Sequence, residues 1–99
     1  MLFQYKNVDF DINEKEISKE ECIKLFTPVL DIAKKFVKIV EIDVESSEYA
    51  VILIEGGSQH EYAPGTTQFV QELSAYNIST ATSDEDYGEL DAINIYMEE

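Results

Sequence analysis

Two short segments of the chain alternate apolar and polar residues, and each predicts a strand with one buried face. The first reads Val-Asp-Phe-Asp-Ile over residues 8–12, and the second runs from Val40 to Glu45. The apolar residues over 2–5 either extend the first strand or form a hairpin with it around Lys6-Asn7. The acidic side chains of both strands are expected on the solvent-facing side of the sheet.

Helical spacing of apolar residues predicts two helices. Ser18-Lys-Glu-Glu21 is a capping box for the first helix, and Ile17 precedes it as the staple residue. Pro28 interrupts this helix, so Thr27 either caps a further helix or precedes a kink. The last, shorter helix is marked by apolar residues at helical spacing, namely Phe69, Val70, Leu73 and Tyr76. Asn77 is placed to end it.

The remaining apolar segments predict three further strands. Tyr49–Ile54 has no polar residue, which indicates a central strand covered on both faces or nearly so. Ile78–Thr82 and Ala92–Met97 follow the second helix. The order β-α-β-β-α-β, in which the last element can be a hairpin, predicts one α+β domain over residues 1–99. We expect an antiparallel sheet with two or three helices on one face, in the ferredoxin-like split β-α-β order.

Charge is distributed unevenly along this pattern. The chain has no Arg, and its 7 Lys lie at or before Lys38 together with 7 of the 21 acidic residues. The other 14 acidic residues follow Lys38, so the net charge of −14 arises entirely there. A surface of one sign favours a partner of the other sign. Nucleic acids and anionic membranes are therefore excluded as partners, whereas a basic protein or a cation is not.

The composition also indicates a compartment. No apolar run approaches the length of a membrane span, and Met1-Leu-Phe-Gln-Tyr-Lys6 does not resemble a secretion signal. A single Cys excludes an intrachain disulfide and is typical of a reducing compartment. We predict a cytoplasmic protein with no cofactor.

The densest acidic segment, Ser83–Asp91, is the first candidate partner-binding site. Repulsion among its five carboxylates favours a cationic partner, and Tyr87 supplies an aromatic anchor. The alternative is a solvated loop whose charge only aids solubility. The predicted contact residues here are Asp84, Glu85, Asp86, Tyr87, Glu89 and Asp91, with Glu61 and Tyr62 from the preceding loop. A calcium loop is not predicted, because the glycine and the twelfth residue do not fit the EF-hand pattern.

Glu41, Asp43 and Glu45, with Glu48 in the following turn, form the second candidate site. Alternate residues of a strand lie about 6.6 Å apart on one face, which is half the charge density of one DNA strand. A convincing phosphate mimic therefore needs a second row, either from Glu48 and Glu55 or from Asp9 and Asp11. The alternative is an ordinary solvated sheet face.

Catalytic and metal-binding roles are poorly supported. His60 is the sole histidine, and no nucleophile elbow surrounds the nearby Ser58. Cys22 lies on the inner side of the first helix, where a buried structural thiol is the common role. One His and one Cys do not make a zinc site. We predict that the chain is not an enzyme.

Three hypotheses follow. The first is a small acidic inhibitor, a bacterial immunity protein or antitoxin that neutralises a basic nuclease toxin. The second is a phage-type DNA mimic that disables a host defence enzyme. The third is a regulatory or scaffold domain that assembles through its sheet edge and is merely solubilised by its acidity. For the leading hypothesis we expect a monomer or weak dimer in isolation, whereas an obligate oligomer would favour the third.

Overall fold

A computed structural model describes residues 1–57, 62–82 and 89–97 of the chain. These residues form a mixed six-stranded sheet and two helices. In chain order the elements are β1 (Leu2–Tyr5), β2 (Val8–Ile12), α1 (Lys19–Ala33), β3 (Lys38–Val44), β4 (Tyr49–Glu55), α2 (Thr66–Ala75), β5 (Ile78–Thr82) and β6 (Asp91–Met97). The predicted α+β class is confirmed.

The strand order across the sheet is β1-β2-β3-β4-β6-β5. Among the described strands, β2 and β3 run parallel and every other neighbouring pair is antiparallel. The ferredoxin-like order is therefore not found. Because α1 joins strands that pair directly, the first β-α-β unit is not split. The second unit is split, since β6 lies between β4 and β5.

Helix α1 begins where the sequence predicts and continues through its proline. The hydroxyl oxygen of Ser18 accepts a hydrogen bond from the backbone N–H of Glu21 at 3.1 Å, and Ile17 is buried. Pro28 lies inside one continuous helix, so no second helix begins there. The Thr27 hydroxyl donates to the carbonyl oxygen of Ile23 at 2.6 Å. Thr27 is thus a helix-interior residue and not a cap.

Three residues with positive φ allow the tight turns. Lys6 and Asn7 have φ of 52° and 65°, which closes the β1–β2 hairpin in two residues. Asn77 has φ of 62° and follows α2, as its predicted capping role requires.

The core lies between the helices and one face of the sheet. Phe10 of β2 is fully buried and is stacked on Phe3 of β1, with ring centroids 5.1 Å apart. It also meets Phe26 of α1 edge-on at 6.1 Å. Buried side chains of β3, β4, β6 and α2 extend the same cluster. The opposite face of the sheet has no helix on it in the described part of the chain.

Candidate partner-binding face

Two rows of carboxylates lie side by side on the open face of the sheet. The pairing of β2 with β3 places Asp9 beside Glu41 and Asp11 beside Asp43. The residue between the two aspartates, Phe10, is fully buried, so alternation directs the carboxylates away from the helices. Parallel strands are about 4.8 Å apart and alternate residues about 6.6 Å apart, so these four groups form a tight grid.

Glu45 extends the row on β3, and these five residues together are called the acidic patch: Asp9, Asp11, Glu41, Asp43 and Glu45. Sequence alternation places Glu45 on the same face as Glu41 and Asp43, and it is exposed. No Lys side chain of the described chain forms an ion pair with any member of the patch. The N-terminal ammonium group of Met1 lies 4.0 Å from Oδ1 of Asp11 and is the cation that the described ion pairs place on the patch. The protein's own lysines do not neutralise its negative charge.

Crowding changes the protonation of the group at the centre of the patch. A hydrogen bond with the Asp43 side chain, together with burial and the charges of Asp43, Asp11 and Asp9, raises the pKa of Glu41 to about 7. The Oδ1 atom of Asp43 is buried and accepts no hydrogen bond from the described residues. Protonated Glu41 can donate a hydrogen bond to the Asp43 carboxylate, which two ionised carboxylates cannot form because neither has a hydrogen to donate.

The patch borders a shallow groove at the ends of β2 and β3. Asp11, Asn13, Asp43 and Glu45 line it with the neighbouring strand backbone, and its volume is about 300 Å³. No three His, Cys, Asp or Glu residues in the described ranges are positioned to hold a metal ion. The groove is thus an anionic surface depression and not a preformed metal site.

The open face becomes apolar beyond β3. Leu53 lies opposite Glu41 and Val51 lies opposite Asp43 across the β3–β4 pair. Leu53 is only 4% exposed although it faces away from the helices, and Ala92 beside it on β6 is 6% exposed. The Tyr62 hydroxyl donates to the carbonyl oxygen of Ala92 at 3.4 Å, which places this side chain against β6. The predicted central position of β4 is therefore confirmed, whereas its open face is covered only around Leu53, since Tyr49 and Val51 on the same face are half-buried.

Two tyrosines stand next to the end of the acidic patch. Tyr49 of β4 and Tyr96 of β6 are cross-strand neighbours whose ring centroids are 5.2 Å apart. The backbone N–H of Glu45 donates to the carbonyl oxygen of Tyr49 at 3.1 Å, so the patch and this tyrosine pair are adjacent. The Tyr49 hydroxyl donates to Oδ1 of Asn94 at 3.2 Å. Tyr96 is 41% exposed and offers aromatic surface beside the carboxylates.

Several lysines are paired elsewhere. Lys6 and Lys34 both approach Asp31, at 3.3 and 3.9 Å, and Lys38 pairs with Glu55 at 3.2 Å. Lys6, Lys34 and Lys38 line a groove of about 410 Å³ between the end of α1 and the starts of β2 and β3. Glu55 is thereby compensated and does not supply the second acidic row.

The predicted site residues fall into three groups. Glu41, Asp43 and Glu45 share the acidic patch, and Glu48 is exposed in the turn before β4. Glu89 is exposed, while Tyr62 packs against β6 as described above. The predicted residues Glu61, Asp84, Glu85, Asp86 and Tyr87 lie outside the described residues, as does His60.

Asp91 has a structural contact that the sequence does not reveal. Its Oδ2 atom accepts a hydrogen bond from the backbone N–H of Ala63 at 2.6 Å. A Cβ added to Gly57 would overlap the same carboxylate, so the glycine allows a close approach there. Asp91 therefore joins the start of β6 to the chain on both sides of residues 58–61, and its predicted role in partner contact remains a prediction.

Asp9, Asp11, Tyr49 and Tyr96 were not among the predicted contact residues. The available signal for Asp9 and Asp11 was their alternation with buried residues, which made them one of two options for a second row. Choosing between the options required knowledge that β2 pairs with β3. The tyrosine pair depends likewise on the β4–β6 register.

Cys22 is buried, as the sequence predicts. Burial raises the pKa of its thiol to about 11, which keeps it protonated and unreactive near neutral pH.

Comparison with known proteins does not extend this description. The chain matches no protein-family model, no curated protein and no solved structure. Among the described helices, none is both long and apolar enough to cross a membrane.

Proposed function

We propose that this protein is a small acidic inhibitor that binds a basic protein surface, as a bacterial immunity protein or antitoxin binds and neutralises a nuclease toxin. The observation that carries the proposal is the acidic patch, in which two strands present carboxylates in register and no lysine pairs with them. Such a surface has its strongest affinity for Lys and Arg side chains held by a partner.

A nuclease fits this chemistry because it must present a positive groove to its own substrate. The field of a molecule with net charge −14 increases the rate at which such a groove is encountered. A rapid encounter matters for an inhibitor, since an active nuclease damages the cell until it is bound. The negative charge of this protein then increases the association rate as well as the affinity for the nuclease.

The tyrosine pair supplies what charge alone does not. Desolvated aromatic anchors account for much of the binding energy at protein interfaces, and charged rims account for little. An Arg of the partner that stacks on Tyr96 can reach Glu45 with its guanidinium group, since Glu45 lies beside Tyr49. We propose that the centre of the contact is formed by Tyr49, Tyr96 and Glu45. The other four carboxylates of the acidic patch would then lie on one side of this centre.

A phage-type DNA mimic is the second candidate, and the two-row arrangement favours it. Two rows with a spacing of about 6.6 Å together supply one charge per about 3.3 Å, close to the ~3.4 Å of one DNA strand. However, β2 and β3 contribute two carboxylates each, and Glu45 adds one directly after β3. This compact patch is better matched to a local basic site than to an extended DNA-binding groove.

The experiment measures inhibition and association with a cationic nuclease domain encoded beside this chain. We expect equimolar protein to suppress nucleic-acid cleavage, with an association rate that falls steeply as salt rises. The variant Asp9→Asn/Asp11→Asn should associate about three- to tenfold more slowly. Tyr96→Ala should instead accelerate dissociation, because it removes an anchor without altering charge.

A charge-matched control separates local from overall electrostatics. Glu16→Gln/Glu72→Gln also removes two negative charges, from exposed positions outside the patch. Its association rate should remain close to that of the parent. Equal slowing by the two double variants, or binding that ignores ionic strength, would contradict the proposed contact.

A further inference from the structure

One part of this acidic chain is almost uncharged. Residues 62–82, which contain α2 and β5, include a single charged side chain, Glu72, among 21 residues. Their exposed surface is formed by small, hydroxyl, amide and tyrosine side chains, including Tyr76 at 61% exposure. Two copies of a strongly negative protein repel one another least across such a surface.

The outer edge of the sheet lies within this uncharged segment. Strand β5 pairs with β6 on one side and, among the described residues, with no strand on the other. Its sequence, Ile-Ser-Thr-Ala-Thr, has no charge, no proline and no glycine, and its pairing with β6 shows no bulge. Edge strands of monomeric proteins usually carry a charged residue, a proline or a bulge, because their free backbone groups otherwise pair with another strand.

The opposite edge of the sheet differs in this respect. Strand β1 has four residues, and charged groups surround it. The Lys19 amine lies 5.2 Å from the centre of the Phe3 ring, and the Gln4 side chain donates to Asp9 at 3.1 Å. Lys6 follows the strand directly. A second strand approaching β1 would therefore meet charged side chains, whereas one approaching β5 would meet none on the strand itself, and the acidic residues from Asp84 onward follow it in the sequence.

We propose that β5 pairs with β5 of a second copy of this chain, antiparallel and about a two-fold axis, so that the two sheets become continuous. Isologous two-fold pairing is the commonest form of self-association. Ile78 is buried under α2 and must stay on the helix side in both copies. Directly opposed residues of an antiparallel pair lie on the same face of the sheet. The two-fold axis therefore lies midway between two copies of the same residue, and in the middle of β5 this residue is Thr80.

This axis predicts specific neighbours. Ser79 of one copy lies opposite Ala81 of the other, and both side chains are exposed on the face away from the helices. The acidic patch on β2 and β3 stays accessible, since β4 and β6 separate it from the joined edges. The self-association is therefore independent of the proposed inhibitor function, and either can be wrong without the other.

The first experiment measures molar mass by light scattering against concentration and salt. We expect the mass to rise from 11.3 kDa towards twice that value as concentration increases. Raising salt from about 0.1 M to about 1 M shortens the Debye length from ~10 to ~3 Å and should strengthen dimerisation about tenfold or more. Binding to a basic partner should show the opposite salt response. A mass that remains monomeric throughout, or a dimer that dissociates as salt rises, would overturn the proposal.

Charge placed on β5 tests the pairing itself. Ser79→Lys/Ala81→Lys brings like charges opposite one another and should be monomeric, and so should Ser79→Glu/Ala81→Glu. An equimolar mixture of the two variants should recover the dimer, because each Lys then faces a Glu. Ser79→Lys/Ala81→Glu places Lys opposite Glu in a single variant and should dimerise alone. Variants that all dimerise as the parent does, or a mixture that fails to recover the dimer, would show that β5 is not the interface.

Discussion

The two ends of the sheet differ sharply in charge. On β2 and β3, five carboxylates share one face without a lysine partner, whereas residues 62–82 at the other end contain one charged side chain. Like-charge repulsion is thus concentrated on β2 and β3 and almost absent from residues 62–82, although the acidic segment Ser83–Asp91 follows directly in the sequence. The net charge of −14 therefore predicts the sign of a partner for the acidic patch and for the segment Ser83–Asp91, and not for residues 62–82.

The difference shows that a single charge total can hide two kinds of surface. The acidic patch is suited to a cationic partner, because the ammonium group of Met1 beside Asp11 compensates one of its five carboxylates and added cations would relieve the remaining repulsion. The β5 edge is suited to a second copy of the same chain, because backbone hydrogen bonds between two strands do not depend on the net charge of the molecules. Three predictions test this comparison, starting with a carboxylate that belongs to neither role.

Asp91→Ala should produce the largest effect. The Asp91 carboxylate accepts a hydrogen bond from the backbone N–H of Ala63, so its removal leaves a partly buried donor without a partner. Hydrogen bonds to charged groups contribute about 1.5–3 kcal/mol, and we expect a loss of about 2 kcal/mol in unfolding free energy. Urea unfolding measures it.

Asp91→Asn is the matched control, since the amide oxygen still accepts the hydrogen bond while the charge is lost. It should recover most of the stability. If both variants lose the same stability, the charge at Asp91 matters and the hydrogen bond does not. If neither variant loses stability, the Asp91 carboxylate is not needed for folding, and the partner contact predicted for it from the sequence is favoured instead.

Glu41→Gln should have the next largest effect, and only at high pH. The pKa of Glu41 is raised to about 7 in the folded protein, mainly by its hydrogen bond with Asp43 and then by burial and neighbouring charges. The folded state therefore keeps a proton that the unfolded chain loses near pH 4.5. Stability from this group is fully present below that pH and is lost as pH rises through 7.

Glutamine imitates the protonated carboxyl, so Glu41→Gln should stabilise the protein by about 1–2 kcal/mol at pH 8 and by little at pH 5. This range lies below full conversion of the shift, because solvent screens a carboxyl that is not fully buried. Urea unfolding at both pH values measures the difference. The exposed Glu45→Gln removes the same charge and should give a smaller pH-dependent change. A gain that is equal at both pH values would contradict the raised pKa of Glu41.

Much of this fold was predictable from local pattern. The alternation over residues 8–12 and the N-cap at Ser18 depend on neighbours in sequence, and both predictions are confirmed. Of the predicted capping box, the bond from the Glu21 backbone N–H to the Ser18 hydroxyl is the half that is found among the described residues. The second helix predicted as one option at Pro28 is wrong, because α1 continues through this residue although proline cannot donate to the carbonyl oxygen of Lys24 one turn earlier. Local signals fixed the elements but not the order in which strands pair.

Strand order required information that the sequence pattern lacks. Nothing local states that β6 pairs with both β4 and β5, or that β2 pairs directly with β3. The candidate site was incompletely predicted for the same reason. Glu41 and Asp43 were identified from their own strand, while the contribution of Asp9 and Asp11 depends on a pairing across the α1 connection. Site residues contributed by a single strand were thus easier to predict than those assembled by register.

Asp9→Asn should have the smallest effect, and it bears most directly on the two ends of the sheet. Removing one charge from the acidic patch relieves repulsion from Glu41, its neighbour on β3, and the amide oxygen can still accept from Gln4. We expect a gain of about 0.2–0.5 kcal/mol in unfolding free energy at low salt, which should vanish at high salt. Glu72→Gln removes the single charge of residues 62–82, where no other charged side chain is adjacent in sequence, and should change stability less. If Asp9→Asn and Glu72→Gln stabilise the protein equally, like-charge repulsion is spread over the whole molecule. The acidic patch would then be no more suited to a cationic partner than the rest of the surface.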